Sequence, residues 1–399
     1  MMLLNRAIET AINTYLQSAD YKIFFIWGPR RSGKTTLLKK ISTSRNIPIF
    51  NFDLVSEHEK FIPQKEILTK LAHECPIILI DEIQNYPQAT LALKILHDEF
   101  AVKIIATGSS ELRQKGADFD TLTGRFTENY CLPFSIFEIA DNISIPSYQQ
   151  TAFHQQLLTQ LQTFGAYPEV YLNYQKPESV NINLLQNILD TYVLKDIINI
   201  YDLKNTQLAK DILTKIALQI GSEVSLREIA NSLQANVTTV ANYIEIFIKN
   251  YILIPLPSFK TNLRRAVSEN RKLYFYDLGI RNILIKDFRD LNLRPDKGSL
   301  FENFIVSELE KKRKNLNLKY DFYFYREYSG QEVDLVLADY HKRYTSVEIK
   351  TTPHQKIKDV FPLPHTFKTI DSNTYIDQLN DLLPTATPHI PLDKTKKSA

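Results

Sequence analysis

The segment GPRRSGKT, residues 28–35, has the residue types and spacing needed to hold a chain of phosphate groups. Gly28 and Gly33 let the backbone turn its amides inward, and Lys34 places a positive charge on the terminal phosphates. Thr35 can offer its hydroxyl to Mg²⁺. We therefore predict a nucleotide-binding loop made of Gly28, Pro29, Arg30, Arg31, Ser32, Gly33, Lys34, Thr35 and Thr36.

A pair of carboxylates follows the apolar segment IILIDE, where Asp81 and Glu82 end a predicted strand. Adjacent strand ends in a parallel sheet meet at one edge, so we expect Asp81 to share the Mg²⁺ ion with Thr35. Glu82 is then placed to polarise the attacking water. The strand that ends in ATGSS brings Thr107 or Ser109 to the same edge. Of these two, Ser109 is our preferred sensor of the terminal phosphate.

Two further carboxylates and a lysine share a face near the C-terminus. Glu348 and Lys350 are two residues apart in the strand candidate YTSVEIK, so they project to the same side, and Asp334 lies in the partner strand EVDLVLAD. Asp334 and Glu348 can hold Mg²⁺, and Lys350 can stabilise charge at a scissile phosphate. The alternative is a solvent-facing set of salt bridges, because strand alternation by itself creates polar faces.

Three structural units must position these residues. From residue 22 to residue 110, apolar strand-like runs alternate with amphipathic helical stretches, which predicts an α/β domain with a largely parallel sheet. Residues 153–250 read as mainly helical, and three amphipathic helices followed by two strand candidates outline a winged helix. A mixed α/β unit follows. We predict domains at residues 1–145, 146–290 and 291–384, and a disordered tail at 385–399.

The stretch KTNLRRAVSENRK, residues 260–272, is the most basic part of the middle region. As the wing of a winged helix it can grip phosphates of a nucleic acid, through Lys260, Arg264, Arg265, Arg271 and Lys272. The alternative is a solvated basic loop on a lid that joins domains or subunits. The third helix candidate begins with threonines and asparagines, so base-specific readout is not expected.

With DEIQ after its second strand and the TGS strand, the first 140 residues resemble the AAA-type ATPases, specifically a bacterial branch of them. The resemblance implies Mg²⁺-dependent ATP hydrolysis by a homo-oligomer. It also implies a catalytic role for Arg125 in LTGRF, because an arginine from a neighbouring subunit often stabilises charge on the transferred phosphoryl group. A surface ion pair is the alternative for Arg125, and the two readings are weighted equally.

The segments FGAYPEV and KLYFYDLGIRN resemble a domain of unknown function that commonly follows this ATPase branch. Asp334 with the EIK of residues 348–350 resembles the active-site pattern of the PD-(D/E)xK superfamily of restriction-endonuclease-like proteins. That resemblance implies an additional acidic role for Glu302. Ser299 and Glu302 also have the spacing of a capping box, so the carboxylate has a purely structural alternative.

The composition sets broad limits on the class of protein. A chain of 399 residues exceeds the size that one hydrophobic core usually supports. Its apolar runs are too short to cross a bilayer, and the N-terminus lacks the pattern of a signal peptide. Only Cys75 and Cys131 are present, which suggests a reducing compartment, and we expect the cytoplasm. The net charge of +3 is too small to require a nucleic-acid partner.

Our first hypothesis is an oligomeric ATPase coupled to nucleic-acid processing or defence, with DNA or RNA as partner and a nuclease-like site in the last domain. The second is an ATP-dependent switch that docks a protein partner and carries an inactive nuclease-like domain. A structural scaffold ranks third, because it leaves the phosphate-binding residues unexplained.

Overall fold

The structure is a computed structural model that describes residues 4–108, 119–197, 205–260, 271–327, 329–352 and 359–384. Three predictions fall outside the described residues. These are the sensor role of Ser109, the basic residues at 261–270 and the disordered tail at 385–399.

The first sheet has five parallel strands in the order β2-β3-β4-β1-β5. Its strands are β1 (Ile23–Trp27), β2 (Ile49–Asn51), β3 (Ile77–Asp81), β4 (Lys103–Gly108) and β5 (Phe126–Tyr130). The helices in this part are α1 (Ile8–Gln17), α2 (Lys34–Arg45), α3 (Val55–His58), α4 (Lys65–Glu74) and α5 (Ala89–Glu99). The predicted α/β architecture with a parallel sheet is confirmed.

Strand β1 lies inside the sheet and is buried along its whole length. Phe24 and Ile26 pack on one face with residues of α1 and α2, whereas Phe25 and Trp27 pack on the other face in the larger core. A strand covered on both sides reads as a continuous apolar run, which is why IFFIW shows no polar alternation. None of the helices in the described ranges is long and apolar enough to span a membrane.

The middle region begins with helices and ends in a small sheet. Helix α6 (Ile136–Asp141) follows β5 and still belongs to the first part. The helices of the middle region are α7 (Ser147–Phe164), α8 (Pro168–Leu172), α9 (Glu178–Ile188), a π-helical continuation (Leu189–Asp196), α10 (Thr206–Leu218), α11 (Leu226–Ser232) and α12 (Val237–Lys249). The strands β6 (Glu223–Val224), β7 (Leu253–Pro257) and β8 (Arg271–Phe275) pair antiparallel in the order β6-β8-β7. The Ser225 hydroxyl accepts from the amide of Glu228 and caps the start of α11.

The last part carries the helices α13 (Leu278–Ile285), α14 (Lys297–Asn315) and α15 (Tyr375–Leu382). Its strands are β9 (Tyr320–Arg326), β10 (Glu332–Asp339), β11 (Tyr344–Lys350) and β12 (His365–Asp371). The sheet order is β12-β11-β10-β9, with β11 and β12 parallel and the other pairs antiparallel. The sequence pattern indicated β9 to β11 but not β12.

The segments FGAYPEV and YDLGIRN lie against each other although they are far apart in the chain. A Cβ on Gly165 would lie 2.0 Å from Oδ1 of Asp277, and a Cβ on Gly279 would lie 2.2 Å from the carbonyl oxygen of Phe164. The amide of Ala166 donates to Oδ2 of Asp277 at 2.6 Å. Both glycines are therefore required by close approach of the two segments.

Helix α14 joins the last part to the first. The Glu308 carboxylate accepts from the amide of Ile136 at 2.6 Å, and the Lys311 ammonium donates to the carbonyl of Phe134 at 3.0 Å. One hydrophobic cluster contains residues of both parts, including Phe134 and Leu309. The domain boundaries at 145 and 290 stay predictions, and the core crosses them.

Candidate nucleotide-binding site

The predicted loop lies between the end of β1 and the start of α2, at the edge of the sheet where β3 and β4 also end. Gly28 is required there because a Cβ would lie 2.0 Å from the carbonyl oxygen of Cys131. The amide of Cys131 donates to the carbonyl of Trp27 at 2.7 Å, so the two chain segments run side by side beneath the loop. A side chain at position 28 would push them apart.

The first turn of α2 is arranged to receive an anion. Gly33 is the N-cap residue with a φ of 100°, which favours glycine, and no side chain caps this end of the helix. The first amides of a helix lack partners within the helix, and the helix dipole favours negative charge at this end. Cavity space lies beside Gly33, Lys34 and Thr35. These residues fit a bound phosphate chain.

The Lys34 ammonium is buried at the base of the loop. It donates to the carbonyls of Gly28 and Pro29, each at 2.9 Å. Burial lowers the pKa of Lys34, and the negative charges of Glu82 and Asp81 act in the opposite direction. The two predicted acids are therefore close enough to raise the pKa of Lys34, and its ammonium is hydrogen-bonded to the loop itself.

Asp81 and Thr107 meet at the ends of β3 and β4. The Thr107 hydroxyl donates to Oδ1 of Asp81 at 2.5 Å, and the amide of Glu82 donates to the same hydroxyl at 3.4 Å. Glu82 has a φ of 53°, in the left-handed region, and the Gln84 amide donates to its carboxylate at 2.5 Å. The glutamine of DEIQ thus holds the predicted catalytic carboxylate.

A cavity of about 580 Å³ opens in front of the loop. The first domain contributes Gly33, Lys34, Thr35 and Glu82 to its wall, among other residues. The middle region supplies Pro168, Glu169, Leu172, Thr191 and Tyr192. A nucleotide in this cavity would therefore contact the helical region as well as the phosphate loop.

The C-terminal residues singled out in the sequence also come together. Lys350 Nζ lies 2.6 Å from Oε1 of Glu348 and 3.7 Å from Oδ2 of Asp334. Oδ2 of Asp334 also accepts from the amide of Ile349 at 2.8 Å. The salt bridges of the alternative interpretation are therefore present, but the three side chains are only between 11% and 34% exposed, so the set is partly buried and not solvent-facing.

Glu302 joins this cluster from α14. It accepts from the Lys272 ammonium at 3.0 Å and from the Tyr274 hydroxyl. The capping-box alternative is wrong, because α14 begins at Lys297 and its N-cap is Asp296, so position 299 already lies inside the helix. Burial raises the pKa of Glu302, and the charge of Lys272 opposes that shift.

The position of Lys272 differs from both interpretations of the basic stretch at residues 260–272. Neither a phosphate-gripping wing nor a solvated loop describes it, because its side chain is 1% exposed and it bridges Glu302 and Glu332. Arg271 pairs with Glu245 at 2.7 Å. The wing interpretation failed here because β8 carries Lys272 into the carboxylate cluster and not to the surface.

Burial and existing ion pairs oppose the binding of Mg²⁺ to this cluster. Burial raises the pKa of Asp334 and that of Glu348. Within the described ranges, no group of three or more His, Cys, Asp or Glu side chains is arranged to hold a metal ion. Lys272 and Lys350 already neutralise carboxylates of the cluster. A divalent ion would have to displace at least one of these ammonium groups.

Comparison with known proteins addresses the first domain directly. Residues 20–140 match a family model described as an AAA domain. The AAA domain match covers the phosphate loop, both predicted acids and Arg125. Together with the five-stranded parallel sheet, it supports a P-loop ATPase. Residues 155–295 match a domain of unknown function (DUF8612), and residues 297–375 match another (DUF4143).

Similar chains occur in archaea and bacteria. An uncharacterized protein of Methanocaldococcus jannaschii is 25% identical over 90% of this chain and 80% of its own length. An uncharacterized protein of Haemophilus influenzae is 25% identical over 70% of this chain and 74% of its own length. A solved Walker-type ATPase of Pyrococcus abyssi has a TM-score of 0.43 and 16% identity, over 71% of this chain and 96% of that chain.

Arg125 lies away from the phosphate loop of its own chain. It precedes β5, and its carbonyl accepts from the amide of Ile23 at the start of β1, whereas the loop follows the end of that strand. Its guanidinium donates to both oxygens of Asp98 at 2.7 and 3.0 Å. Arg125 therefore lies at the opposite end of β1 from the phosphate loop, and it does not line the nucleotide cavity of its own chain.

The sequence analysis missed Arg6, which borders the cavity in front of the phosphate loop. The N-terminal segment indicated only an amphipathic helix, and Arg6 has no motif spacing relative to the loop. Its role depends on contacts with Ser32 and Glu138, which are 26 and 132 residues away. A local pattern cannot report contacts at such separations.

Proposed function

We propose that this protein binds ATP together with Mg²⁺ and hydrolyses it at the phosphate loop. The observation that supports this proposal best is that Lys34, Thr35 and Glu82 line one cavity beside the uncapped start of α2, with Asp81 at the adjacent end of β3. Three charges with these signs match a triphosphate, its divalent ion and a water to be activated.

Each residue then has a distinct task. The amides of Gly33 and Lys34 bind phosphate oxygens, and the Lys34 ammonium leaves its loop carbonyls to bind the terminal phosphates. Thr35 and Asp81 would hold the Mg²⁺ ion, which would supply positive charge next to the phosphates. Glu82, held by Gln84, accepts a proton from the water that attacks the terminal phosphorus.

Two substitutions test the ATPase proposal. Lys34→Ala is expected to abolish both ATP binding and turnover, whereas Glu82→Gln is expected to retain binding and lose turnover. Lys65→Ala is a matched control, because Lys65 pairs with Glu99 on the surface of the same domain. Calorimetry would measure binding, and phosphate release would measure turnover. A Glu82→Gln protein with the wild-type rate would exclude the assigned base.

We further propose that the chain works as a homo-oligomer, with Arg125 acting on the nucleotide of a neighbouring subunit. The position of Arg125 at the far edge of its own sheet supports a role in trans. The ion pair with Asp98 must then open or rearrange on assembly. Sedimentation with and without Mg-ATP tests assembly, and a protein that stays monomeric with full ATPase activity excludes it.

A second candidate function is metal-dependent cleavage of DNA or RNA by the last domain. The clustering of Glu302, Asp334, Glu348 and Lys350 supports it. The arrangement of α10, α11, α12 and strands β6 to β8 supports a winged-helix-like middle domain that brings nucleic acid nearby. Asp334→Ala and Lys350→Ala should each abolish Mg²⁺-dependent cleavage. Asp339→Ala is the control, because Asp339 ends the same strand in a pair with Arg343.

The alternative is an ATP-dependent switch that docks a protein partner and does not cut. The lysines that already neutralise the carboxylate cluster support it, as does a nucleotide cavity shared with the helical region. ATPase assays with single-stranded, duplex and branched nucleic acids separate the two readings. Stimulation by nucleic acid together with cleavage supports the first, and stimulation by a protein partner alone supports the switch.

A further inference from the structure

Arg6 has a buried guanidinium that faces the back of the phosphate loop. Nη1 donates to the carbonyl of Ser32 at 2.8 Å, Nη2 donates to the carbonyl of Leu132 at 2.5 Å, and Nε donates to Glu138 at 2.9 Å. The guanidinium also lies 4.7 Å from the centre of the Phe134 ring. One side chain therefore ties the loop to the segment that follows β5.

Glu138 fixes the guanidinium from the other side. Its carboxylate accepts from the amide of Ala7 and from the amide of Ser135, each at 2.9 Å. The Arg6–Glu138 pair is almost inaccessible to solvent, with side-chain exposures of 7% and 3%. A buried pair with these additional hydrogen bonds has a single geometry, because neither charge can be left without its partner.

The carbonyl of Ser32 belongs to the peptide unit that also carries the N–H of Gly33. A peptide unit is planar and trans, so its C=O and N–H point in opposite directions. When Arg6 holds the carbonyl, the orientation of the Gly33 amide is fixed as well. Gly33 needs this restraint more than other residues, because glycine has the widest range of backbone conformations.

We propose that Arg6 is a positioning residue of the nucleotide site, which locks the Ser32–Gly33 peptide in the orientation that receives the phosphates. This inference rests on the proposed ATP binding. The ammonium of Lys34 leaves its loop carbonyls when phosphate binds, but Arg6 keeps its contacts. The loop is thereby organised before the nucleotide arrives.

Lys103 provides a matched control for a purely structural role. It is a buried cation of the same domain and donates to the main-chain carbonyls of Tyr15, Ser18 and Asp20, each at 2.8 Å. It lies at the start of β4, which is the opposite edge of the sheet from the loop. Lys103→Met removes a comparable set of hydrogen bonds from a buried cation to main-chain carbonyls, and it leaves the nucleotide site unchanged.

The experiment compares Arg6→Met and Lys103→Met in the full chain, by two measurements. Hydrogen exchange of the amides of residues 32–36 is measured without nucleotide, and Mg-ATP binding is measured by calorimetry. Arg6→Met should exchange these amides faster and bind Mg-ATP roughly tenfold more weakly, since a hydrogen bond to a charged group is lost. Lys103→Met should lose thermal stability but keep both properties of the loop.

Arg6→Lys keeps the charge but not the planar fork, so intermediate affinity is expected. If Arg6→Met does not fold, Arg6→Lys is compared with Lys103→Met instead. Unchanged exchange at residues 32–36 in both Arg6 variants, or an equal loss of affinity in Lys103→Met, overturns the proposal. If the wild-type protein binds no nucleotide while exchange still rises in the Arg6 variants, the proposed ATP binding fails but the loop-fixing role of Arg6 is supported.

Discussion

The hydroxyl of Thr107 lies 2.5 Å from Oδ1 of Asp81, across the adjacent ends of β4 and β3. Asp81 is the residue proposed to hold Mg²⁺, so Thr107 sets the rotation of the carboxylate that would bind the ion. Groups that orient a metal ligand in this way influence metal affinity nearly as much as some ligands do.

Replacing Thr107 tests this relationship. Thr107→Val keeps the shape of the side chain but cannot donate a hydrogen bond to Asp81. We expect the Mg²⁺ concentration that gives half-maximal ATPase activity to rise about 10- to 100-fold. Thr107→Ser keeps the hydroxyl and should behave like the wild type. Equal Mg²⁺ requirements for the valine and serine variants would contradict the prediction.

The two roles considered for Arg125 can be separated by mutating each partner of its ion pair. If Arg125 acts in trans, Arg125→Ala should lower ATPase activity by about 10³-fold or more, whereas Asp98→Ala should leave it nearly unchanged. If the pair is only structural, the two variants should lose the same small amount of stability and keep activity. Turnover at concentrations above the assembly threshold, together with thermal unfolding, makes the distinction.

The same ion pair predicts a modest dependence of stability on pH. Hydrogen bonds from Arg125 and His97 lower the pKa of Asp98 to about 2. A carboxyl with a lowered folded-state pKa stabilises the fold above its ordinary pKa, and this contribution is lost as the pH falls toward about 2. Asp98→Asn should therefore destabilise the protein at neutral pH and lose its effect in acid. The group is near the surface, so the effect is small.

Gly165 and Gly124 form a natural pair for measuring the cost of close packing. Both have positive φ, at 75° for Gly165 and 81° for Gly124. A Cβ added to Gly165 would lie 2.0 Å from Oδ1 of Asp277, whereas a Cβ added to Gly124 would have no atom within 4 Å. Gly124→Ala should cost about 1 kcal/mol of unfolding free energy, from the backbone alone. Gly165→Ala should cost at least about 3 kcal/mol, because its ψ of −164° belongs to a conformation that is nearly exclusive to glycine and because the carboxylate must also move. Equal losses in denaturant unfolding would show that the clash is relieved cheaply.

Lys272 should be the most important single residue for the stability of the C-terminal cluster. Lys272→Met leaves the carboxylates of Glu302 and Glu332 without their buried cation, and we expect a loss of about 3 kcal/mol. The pKa of Glu302, already raised by burial, should rise further in the variant. A raised carboxyl pKa favours the folded state in acid, so the loss should grow as the pH rises above the ordinary pKa of a glutamate into the neutral range.

Unfolding of Lys272→Met across this pH range tests the prediction. The double variant Lys272→Met with Glu302→Gln removes a charge together with its cation and should recover part of the lost stability. Arg271→Met is a control from the neighbouring position, because Arg271 pairs with an exposed glutamate. A pH-independent loss, equal in the single and double variants, would contradict the electrostatic explanation.

Short-range patterns predicted the parts of the fold that they determine. The loop GPRRSGKT, the strand ending in Asp81 and the alternation that brings Glu348 and Lys350 to one face follow from neighbouring residues. The bonds of Arg6 to Glu138 and of Lys272 to Glu302 join residues that are 132 and 30 positions apart. No periodicity encodes these contacts, because they depend on how whole elements pack.

Strand β12 was missed for a related reason. It reads HTFKTID, mostly polar, and only its pairing with β11 and its position beside α15 stabilise it as a strand. Residues such as Phe367 are exposed, so apolar alternation is weak. Tertiary contacts overrode local preference at this edge of the sheet.

The contacts of helix α14 with the first part of the chain affect how the protein can be truncated. It covers the amide of Ile136 and the carbonyl of Phe134, which belong to the ATPase half, and its apolar side enters the same core. A fragment truncated at residue 145 would leave these polar groups and that apolar surface in water. We therefore expect the N-terminal portion to aggregate when it is expressed without the C-terminal elements that cover it.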